Sequence, residues 1–122
     1  MKKKIMIVDD EETLVELVKT ILGQEGFEVI GVNSGKECLE KLEKVKPDLI
    51  LMDMMMPVMT GRETAEKIRR NSKTRDIKIA FLTVVRFSEF GKDDLKSLNI
   101  LDFITKPFDN NDLIKRVKNI LG

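Results

Sequence analysis

Short apolar runs alternate with amphipathic helical patterns along the chain, and this alternation constrains the fold more than any other feature. The runs have the length of strands, and they cover residues 4–8, 27–32, 49–52, 77–82 and 100–104. Between them, apolar residues recur three and four positions apart, as on one face of a helix. These helical patterns centre on residues 14–22, 39–45, 61–68, 93–98 and 113–121. Because consecutive parallel strands need a crossover helix, this order predicts an α/β fold with a five-stranded parallel sheet covered on both faces.

Two of the runs, Ile5 to Val8 and Leu49 to Met52, are apolar without alternation. Strands that are buried on both faces have this pattern, so we place both runs at the centre of the sheet. In doubly wound sheets, ligands bind beyond the carboxyl ends of the strands, where the strand order reverses. The residues that directly follow the strands are therefore the first place to look for a functional site.

Composition limits the classes of protein that the chain can belong to. The 122 residues are 42% hydrophobic and 35% charged, which fits one globular domain over residues 1–122. The net charge of +1 gives no reason to expect direct nucleic-acid binding. The apolar run after Lys4 is too short for a signal peptide or a membrane span, so we expect a cytoplasmic protein without a membrane partner. There is no histidine, which excludes His-based metal sites and Ser-His or Cys-His catalysis.

Two helix starts and the single cysteine have local structural interpretations. Ser34 to Glu37 and Thr60 to Glu63 both have the sequence form of a capping box at a helix start. The single cysteine, Cys38, lies in a helical pattern and cannot form a disulfide within the chain. A small, buried apolar role is expected for it.

Charged and hydroxyl side chains stand at the ends of four predicted strands. Asp9 and Asp10 follow the first, Asp53 the third and Lys106 the fifth, while Thr83 ends the fourth. Taken singly, four of them have an ordinary explanation, since Asp9 and Asp10 precede a helix that they could cap, and Thr83 and Lys106 are common at strand ends. Asp53 is harder to explain structurally, because the residues that follow it offer no obvious side-chain partner. Because parallel strands end at the same edge, their joint placement predicts that they converge on one site.

The chemistry of this set favours a phosphoryl-transfer site. Clustered carboxylates repel one another unless a cation is present, and Mg²⁺ prefers oxygen ligands while leaving positions for a phosphate. An Asp carboxylate such as Asp53 can act as nucleophile and form an aspartyl phosphate. Lys106 is then available to pair with a phosphoryl oxygen, and Thr83 to donate a hydrogen bond to another.

At these positions the sequence resembles the receiver domain of two-component response regulators, in the form of stand-alone, chemotaxis-regulator-like members. The matching segments follow the family's order along nearly the whole chain, and they are residues 7–11, 48–53, 56–61, 81–83 and 102–108. The resemblance implies a doubly wound, flavodoxin-like sheet with strand order 2-1-3-4-5. The chain then acts either as a free-standing receiver or as a fragment of a longer regulator.

The resemblance also implies a role for each residue of the predicted site. Asp53 matches the phosphoacceptor, which takes a phosphoryl group from a sensor histidine kinase or a histidine phosphotransfer protein. The implied ligands of Mg²⁺, which Mn²⁺ can replace, are the carboxylates of Asp10 and Asp53, the backbone carbonyl of Met55 and, through water, Asp9. Lys106 matches the phosphate-pairing lysine, and the Lys106–Pro107 peptide is expected to be cis.

The resemblance further implies a switch that reports phosphorylation. Thr83 matches the switch hydroxyl and Phe103 the aromatic residue that turns inward with it, changing a surface formed by the fourth helix, the fifth strand and the fifth helix. On this surface we expect Lys92, Lys96, Phe103, Lys115 and Lys118. The downstream effector is unknown, and we expect a monomer or a weak dimer. Such a domain is not a conventional enzyme, since it catalyses only its own phosphorylation and dephosphorylation.

The sequence departs from the family's pattern at three places. Val84 stands where the family usually has Ala or Gly after the switch threonine, and it is expected to narrow access to the site. Asn99-Ile100 replaces the usual Gly-Ala before the fifth strand, but Asn tolerates the left-handed backbone that such a turn needs. Phe87 and Phe90 lie in an unusual segment after Val84, where we favour packing on the fold over a partner contact.

Three other classes of protein share part of this pattern. A flavodoxin-like flavin protein has no use for Asp9 and Asp10 in its phosphate loop, where they repel the phosphate. A haloacid-dehalogenase-type phosphatase normally needs a second Asp where Met55 stands. A phosphorylation-independent receiver-like interaction module remains the main alternative, and Val84 is the feature that keeps it open.

Overall fold

A five-stranded parallel sheet is the centre of the fold in the computed structural model, which describes residues 2–86, 88 and 91–122. Its spatial order is β2-β1-β3-β4-β5, which confirms the doubly wound, flavodoxin-like order that the family resemblance implies. The strands are β1 (Lys4–Val8), β2 (Glu28–Val32), β3 (Leu49–Met52), β4 (Lys78–Thr83) and β5 (Ile100–Thr105).

Helices cover both faces of the sheet, as predicted. One face packs against α1 (Glu12–Gln24) and α5 (Asn110–Leu121). The other face packs against α2 (Gly35–Leu42), α3 (Gly61–Arg70) and α4 (Lys92–Ser97). Within the described ranges, no helix combines the length and the apolar character that a membrane crossing requires.

The two apolar runs that predicted the centre of the sheet are its inner strands. Every residue of Ile5 to Val8 and of Leu49 to Met52 is buried, because helices cover both sides of β1 and β3. The pairing of Val8 with Met52 brings the carboxyl ends of these two strands side by side. The chain order reverses here, since β2 and β3 lie on opposite sides of β1.

The predicted boundaries differ from the observed ones by one residue at several element ends. β2 and β4 begin at Glu28 and Lys78, and β5 extends to Thr105. Helix α4 begins at Lys92 and ends at Ser97, one residue earlier at each end than predicted. Terminal residues take part in only some of an element's hydrogen bonds, and sequence periodicity does not resolve them.

Local hydrogen bonds confirm one capping box and modify the other. At α3, Glu63 N–H donates to Thr60 Oγ1 at 3.1 Å and Thr60 N–H donates to Glu63 Oε1 at 3.0 Å, a full capping box. At α2, Ser34 Oγ accepts from Glu37 N–H, but the Glu37 carboxylate accepts from Asn33 N–H instead of Ser34. In the capping box of α2, the bond to the Glu37 carboxylate therefore comes from the residue before the N-cap instead of from the N-cap itself.

Cys38 and Asn99 behave as the sequence predicts. Cys38 is completely buried on α2 in the core between the sheet and the helices, and burial raises the pKa of its thiol to about 12. Asn99 ends α4 with a φ of 52°, so the left-handed turn survives without the usual glycine. The Lys106–Pro107 peptide is cis, as the resemblance implies.

A tight turn follows β3 at Pro57, Val58 and Met59. The N–H of Met59 donates to the carbonyl of Pro57 at 2.8 Å, and Val58 between them has a φ of 69°. A turn closed over three residues with a positive central φ is rare, and it is unfavourable for a β-branched side chain. The Val58 side chain is fully exposed, so packing does not offset this strain.

Replacing Val58 by Asn is expected to raise the free energy of unfolding by about 1 kcal/mol, because Asn adopts the left-handed region at lower cost. Urea unfolding of the wild type and the variant measures the difference. Val58→Ala, which shortens the side chain but keeps a Cβ atom, should gain less. A loss of stability in Val58→Asn would show that the valine side chain contributes packing that outweighs the strain.

Candidate functional site

Three aspartates lie together at the adjacent ends of β1 and β3. Asp9 and Asp10 follow β1, and Asp53 follows β3. One carboxylate oxygen from each lies within 4.8 Å of the others. Asp9 is completely buried and Asp53 is 3% exposed, whereas Asp10 is exposed. The structure thus brings the predicted acids into one cluster that is open to solvent on the Asp10 side.

Asp9 is held by two hydrogen bonds to its carboxylate. Oδ1 accepts the N–H of Glu11 at 2.9 Å, and Oδ2 accepts from Lys106 Nζ at 2.6 Å. Neither Asp9 nor Asp10 is the N-cap of α1, since that position is Glu11, whose side chain makes no capping hydrogen bond. Simple capping therefore does not account for the two acids.

Asp53 is positioned by the backbone on both sides of it. Its N–H donates to the carbonyl of Val8 at 2.9 Å, which continues the β1–β3 pairing by one residue. Its Oδ1 accepts the N–H of Met55 at 3.1 Å, which orients the carboxylate. The Met55 side chain is 61% exposed, so this residue turns its backbone rather than its side chain towards Asp53.

Gly61, the first residue of α3, packs directly on the backbone of Asp53. A Cβ atom at this position would contact the Asp53 carbonyl oxygen and would lie 2.8 Å from its carbonyl carbon. Real Cβ atoms do not approach backbone atoms so closely, and the N–H of Gly61 is already bonded to the carbonyl of Met54 at 3.1 Å. The site therefore requires glycine at this position for space rather than for backbone freedom.

Lys106 supplies the positive charge of the site. Its Nζ lies 2.6 Å from Asp9 Oδ2, 3.6 Å from Asp53 Oδ2 and 3.6 Å from Glu11 Oε1. Its N–H donates to the carbonyl of Thr83 at 2.8 Å, which fixes the turn after β5 beside the end of β4. Burial alone would lower the pKa of the Lys106 ammonium, but the bond to Asp9 and the charges of Asp53, Asp9 and Glu11 outweigh it and raise the pKa. Lys106 is therefore cationic at neutral pH.

The acids remain in excess over this one ammonium. Burial raises the pKa of the Asp9 carboxyl, as does the charge of Asp53, although the bond to Lys106 and that to Glu11 oppose the rise. Asp9, Asp10 and Asp53 bring three carboxylates against one lysine in direct contact. Such a set of oxygen ligands fits a hard divalent cation with free coordination positions, as Mg²⁺ requires.

Thr83 and Phe103 lie on neighbouring strands at the β4–β5 edge. Thr83 is completely buried, and its Oγ1 accepts the N–H of Val85 at 3.3 Å. Phe103 is half-buried, and its ring makes a T-shaped contact with that of Phe81, at a centroid distance of 6.1 Å and an interplanar angle of 78°. Val84, the departure from the family's pattern, is 58% exposed at the end of β4.

The predicted switch surface needs one correction. Lys96 and Lys115 are exposed, on α4 and α5 respectively. Lys118, however, donates to Glu25 at 2.7 Å, so it lies against the end of α1 and not beside α4 and β5. Helical spacing alone does not show whether the Lys118 side of α5 faces α1 or the α4–β5 surface. The Lys92 side chain, Phe87 and Phe90 lie outside the described residues.

Sequence patterns did not indicate two residues with notable contacts, one in the site and one away from it. Glu11 reaches Lys106 only because of the path of the β1–α1 loop, although the run of acids after β1 was a signal. Arg69 on α3 bonds to four backbone carbonyls, including those of Leu98 and Asn99. Nothing in the sequence distinguishes it from the exposed Arg70 beside it.

Comparison with known proteins gives a consistent result. A family model described as the response regulator receiver domain matches residues 5–118. The alkaline phosphatase synthesis transcriptional regulatory protein PhoP of Bacillus subtilis is 38% identical over 99% of this chain and 49% of its own length. The phosphate regulon transcriptional regulatory protein PhoB of Escherichia coli is 34% identical over 99% of this chain and 52% of its own length. The chain spans about half the length of these curated relatives.

Solved structures with the same fold include two receivers of similar length. The chemotaxis protein CheY4 of Vibrio cholerae is 31% identical with a TM-score of 0.91, over 99% of this chain and 100% of that one. The response regulator TrrA of Thermotoga maritima, solved with Mg²⁺ and BeF, is 36% identical with a TM-score of 0.83, over 98% and 99% of the two chains.

Proposed function

The chain belongs to the receiver-domain family of response regulators, and we propose that its Asp53 accepts a phosphoryl group from a sensor histidine kinase or a histidine phosphotransfer protein. One observation carries this assignment. Asp53 is a nearly buried carboxylate that lies within 4.8 Å of two other acids and 3.6 Å from the Lys106 ammonium. A purely structural role does not need so many buried charges in one place, because burying them is costly.

The acidic cluster would hold Mg²⁺, with Mn²⁺ as a substitute. The proposed ligands are the carboxylates of Asp10 and Asp53 and the backbone carbonyl of Met55, with Asp9 acting through water. When bound, the ion supplies positive charge that offsets the repulsion between these acids and the phosphoryl oxygens. The excess of carboxylates over lysine and the exposure of Asp10 support this proposal.

The transfer itself needs an ionised Asp53. One of its oxygens attacks the phosphorus, the new O–P bond forms, and the N–P bond to the donor histidine breaks with its electron pair left on the imidazole. The Lys106 ammonium, whose raised pKa keeps it charged, would pair with a phosphoryl oxygen. Met55 N–H, bonded to Asp53 Oδ1, holds the carboxylate in position. The domain would catalyse its own phosphorylation and dephosphorylation and no other reaction.

Phosphorylation would be reported through Thr83 and Phe103. The new phosphoryl oxygens are strong acceptors, and the Thr83 O–H would donate a hydrogen bond to one of them. In the present state Thr83 Oγ1 accepts the N–H of Val85, and Phe103 packs against Phe81. A shift of Thr83 towards the phosphoryl group would change the packing of Phe103 and hence the surface of α4, β5 and α5.

This assignment indicates the kinds of protein that the chain would bind. The donor is a histidine-phosphorylated protein, and the effector would recognise the α4–β5–α5 surface. The curated relatives are transcriptional regulatory proteins of about twice this length. We propose that residues 1–122 contact no nucleic acid themselves and act as a monomer or weak dimer in the cytoplasm.

The proposal is tested with acetyl phosphate as donor and intact-mass measurement. The protein should gain the mass of one phosphoryl group in the presence of Mg²⁺ and none when the metal is chelated, because the excess acids would otherwise repel the donor. Mn²⁺ should restore the gain. Binding of neither metal, together with no mass gain, would favour the phosphorylation-independent interaction module.

A further inference from the structure

Arg69, near the carboxyl end of α3, bonds to four backbone carbonyls that belong to two other segments. Its Nε donates to Leu98 at 2.7 Å and its Nη2 to Asn99 at 3.3 Å. Its Nη1 donates to Arg75 at 2.7 Å and to Ile77 at 2.6 Å. One side chain thus joins α3, the segment that leads into β4 and the junction between α4 and β5.

The junction that Arg69 holds is the carboxyl end of α4. This helix has six residues, too few to be stable without tertiary contacts. Its last carbonyls have no partner within the helix, and a cation at this end also favours the helix dipole. Leu98 is buried here in the core, and Asn99 turns the chain into β5.

The amino end of α4 is the end that follows β4 and Thr83 along the chain. There Leu95 N–H donates to the carbonyl of Gly91 at 3.5 Å, and Gly91 has a φ of 95°. At the carboxyl end, the Arg69 guanidinium donates two hydrogen bonds to backbone carbonyls. Hydrogen bonds from a charged donor are stronger than those between neutral groups. Arg69 thus ties the carboxyl end of α4 to α3, while the amino end is the one that the chain connects to Thr83.

The geometry requires arginine rather than any cation. Burial lowers the pKa of the Arg69 guanidinium, so burying the charge has a cost that the four bonds offset. Three nitrogens in a fixed plane reach carbonyls on separate segments, which a single lysine ammonium cannot do. Arg69 is also remote from the chemistry, since Gly61 at the opposite end of α3 is the residue that contacts Asp53.

We propose that Arg69 is a positioning residue that fixes the carboxyl end of α4 as a pivot, so that the switch moves the amino end of the helix about this point. The proposal rests on the function proposed above, because it concerns how a change at Thr83 reaches the α4–β5–α5 surface. Without the pivot, the same change at Thr83 would be absorbed by movement of the whole helix.

The test compares Arg69→Gln with Arg70→Gln. Arg70 is the adjacent arginine, exposed and paired only with Glu66 at 3.5 Å among its described contacts, so it controls for loss of charge on α3. Amide hydrogen exchange by NMR should show the Asn99 N–H exchanging about tenfold faster or more in Arg69→Gln, because the bonds that hold the junction are lost. The Arg70→Gln variant should match the wild type. Amides of β1 and β3 report whether the whole protein has been destabilised.

The second readout is the response to a phosphoryl mimic, fluoroberyllate with Mg²⁺. In the wild type it should shift the amide resonances of residues 93–97, and in Arg69→Gln these shifts should be at least halved while acetyl phosphate still labels the protein at the wild-type rate. A variant with a merely structural defect would instead lose β1 and β3 protection in parallel. Arg69→Lys keeps the positive charge but lacks the planar guanidinium. Its amide shifts should lie between those of the wild type and Arg69→Gln, and it replaces Arg69→Gln in the test if that variant does not fold.

The outcomes separate the two proposals. Equal Asn99 exchange in Arg69→Gln and Arg70→Gln would overturn the pivot, whatever the mimic does. A wild type that binds the mimic without any change at residues 93–97 would overturn the switch itself. A full wild-type response in Arg69→Gln would show that Arg69 holds the junction but has no part in transmission, and that too overturns the pivot.

Discussion

Replacing Asp53 by Asn is expected to abolish phosphorylation of the protein by acetyl phosphate in the presence of Mg²⁺. The amide has no anionic oxygen to attack phosphorus, but it keeps the shape of the side chain and can still accept the N–H of Met55. The substitution also removes one of three mutually repelling acids, so folding should be retained. Intact-mass measurement of both proteins after the same incubation gives the comparison.

Asp48→Asn is the matched control for this loss. Asp48 precedes β3 at the opposite end from Asp53, where its carboxylate accepts the N–H of Lys4 at 2.7 Å. It is exposed and belongs to no acidic cluster among the described residues. Labelling of Asp48→Asn should equal that of the wild type, and undiminished labelling of Asp53→Asn would refute the assignment of the phosphoacceptor.

Gly61→Ala is expected to have the largest effect on stability, lowering the free energy of unfolding by about 3 kcal/mol, since overpacking against backbone costs this much. The new Cβ atom would contact the Asp53 carbonyl group, which cannot move away, because Asp53 N–H is bonded to Val8 in the adjacent strand. Displacement of Asp53 should also slow labelling at least about tenfold, since small misplacements of reacting groups are costly. Urea unfolding and the rate of mass gain measure the two effects.

Gly23→Ala is the control, with an effect of opposite sign. Gly23 lies inside α1, and a Cβ atom there would meet nothing within 4 Å. Alanine should stabilise this helix by up to about 1 kcal/mol through its lower conformational entropy in the unfolded chain. If Gly61→Ala were as stable as the wild type and were labelled at the same rate, the contact between α3 and Asp53 would not be a constraint on the site.

Much of the fold was predictable because its determinants are local in sequence. The strands β1 and β3 are buried on both faces, and their uninterrupted apolar residues predict this burial. Once the sheet is parallel, the residues after the strands must share one edge. The convergence of Asp9, Asp53 and Lys106 therefore followed from strand ends alone.

What the sequence could not supply depends on contacts between distant elements. Lys118 was predicted on the α4–β5–α5 surface but bonds to Glu25 at the end of α1, because a helix pattern gives the period of its faces and not the identity of each neighbour. Arg69 was missed since its partners are backbone carbonyls, which leave no trace in the side chains of the segments concerned. The shifted capping bond of Glu37 to Asn33 is another such case, set by the turn after β2.

The most direct test of the account is to locate the modified residue chemically. After phosphorylation by acetyl phosphate with Mg²⁺, borohydride reduction converts an aspartyl phosphate to homoserine, and peptide mass spectrometry identifies the position. The account predicts homoserine at position 53 alone, and its absence when the metal is chelated. Homoserine at the position of Asp9 or Asp10, or at none of the three, would contradict the central claim.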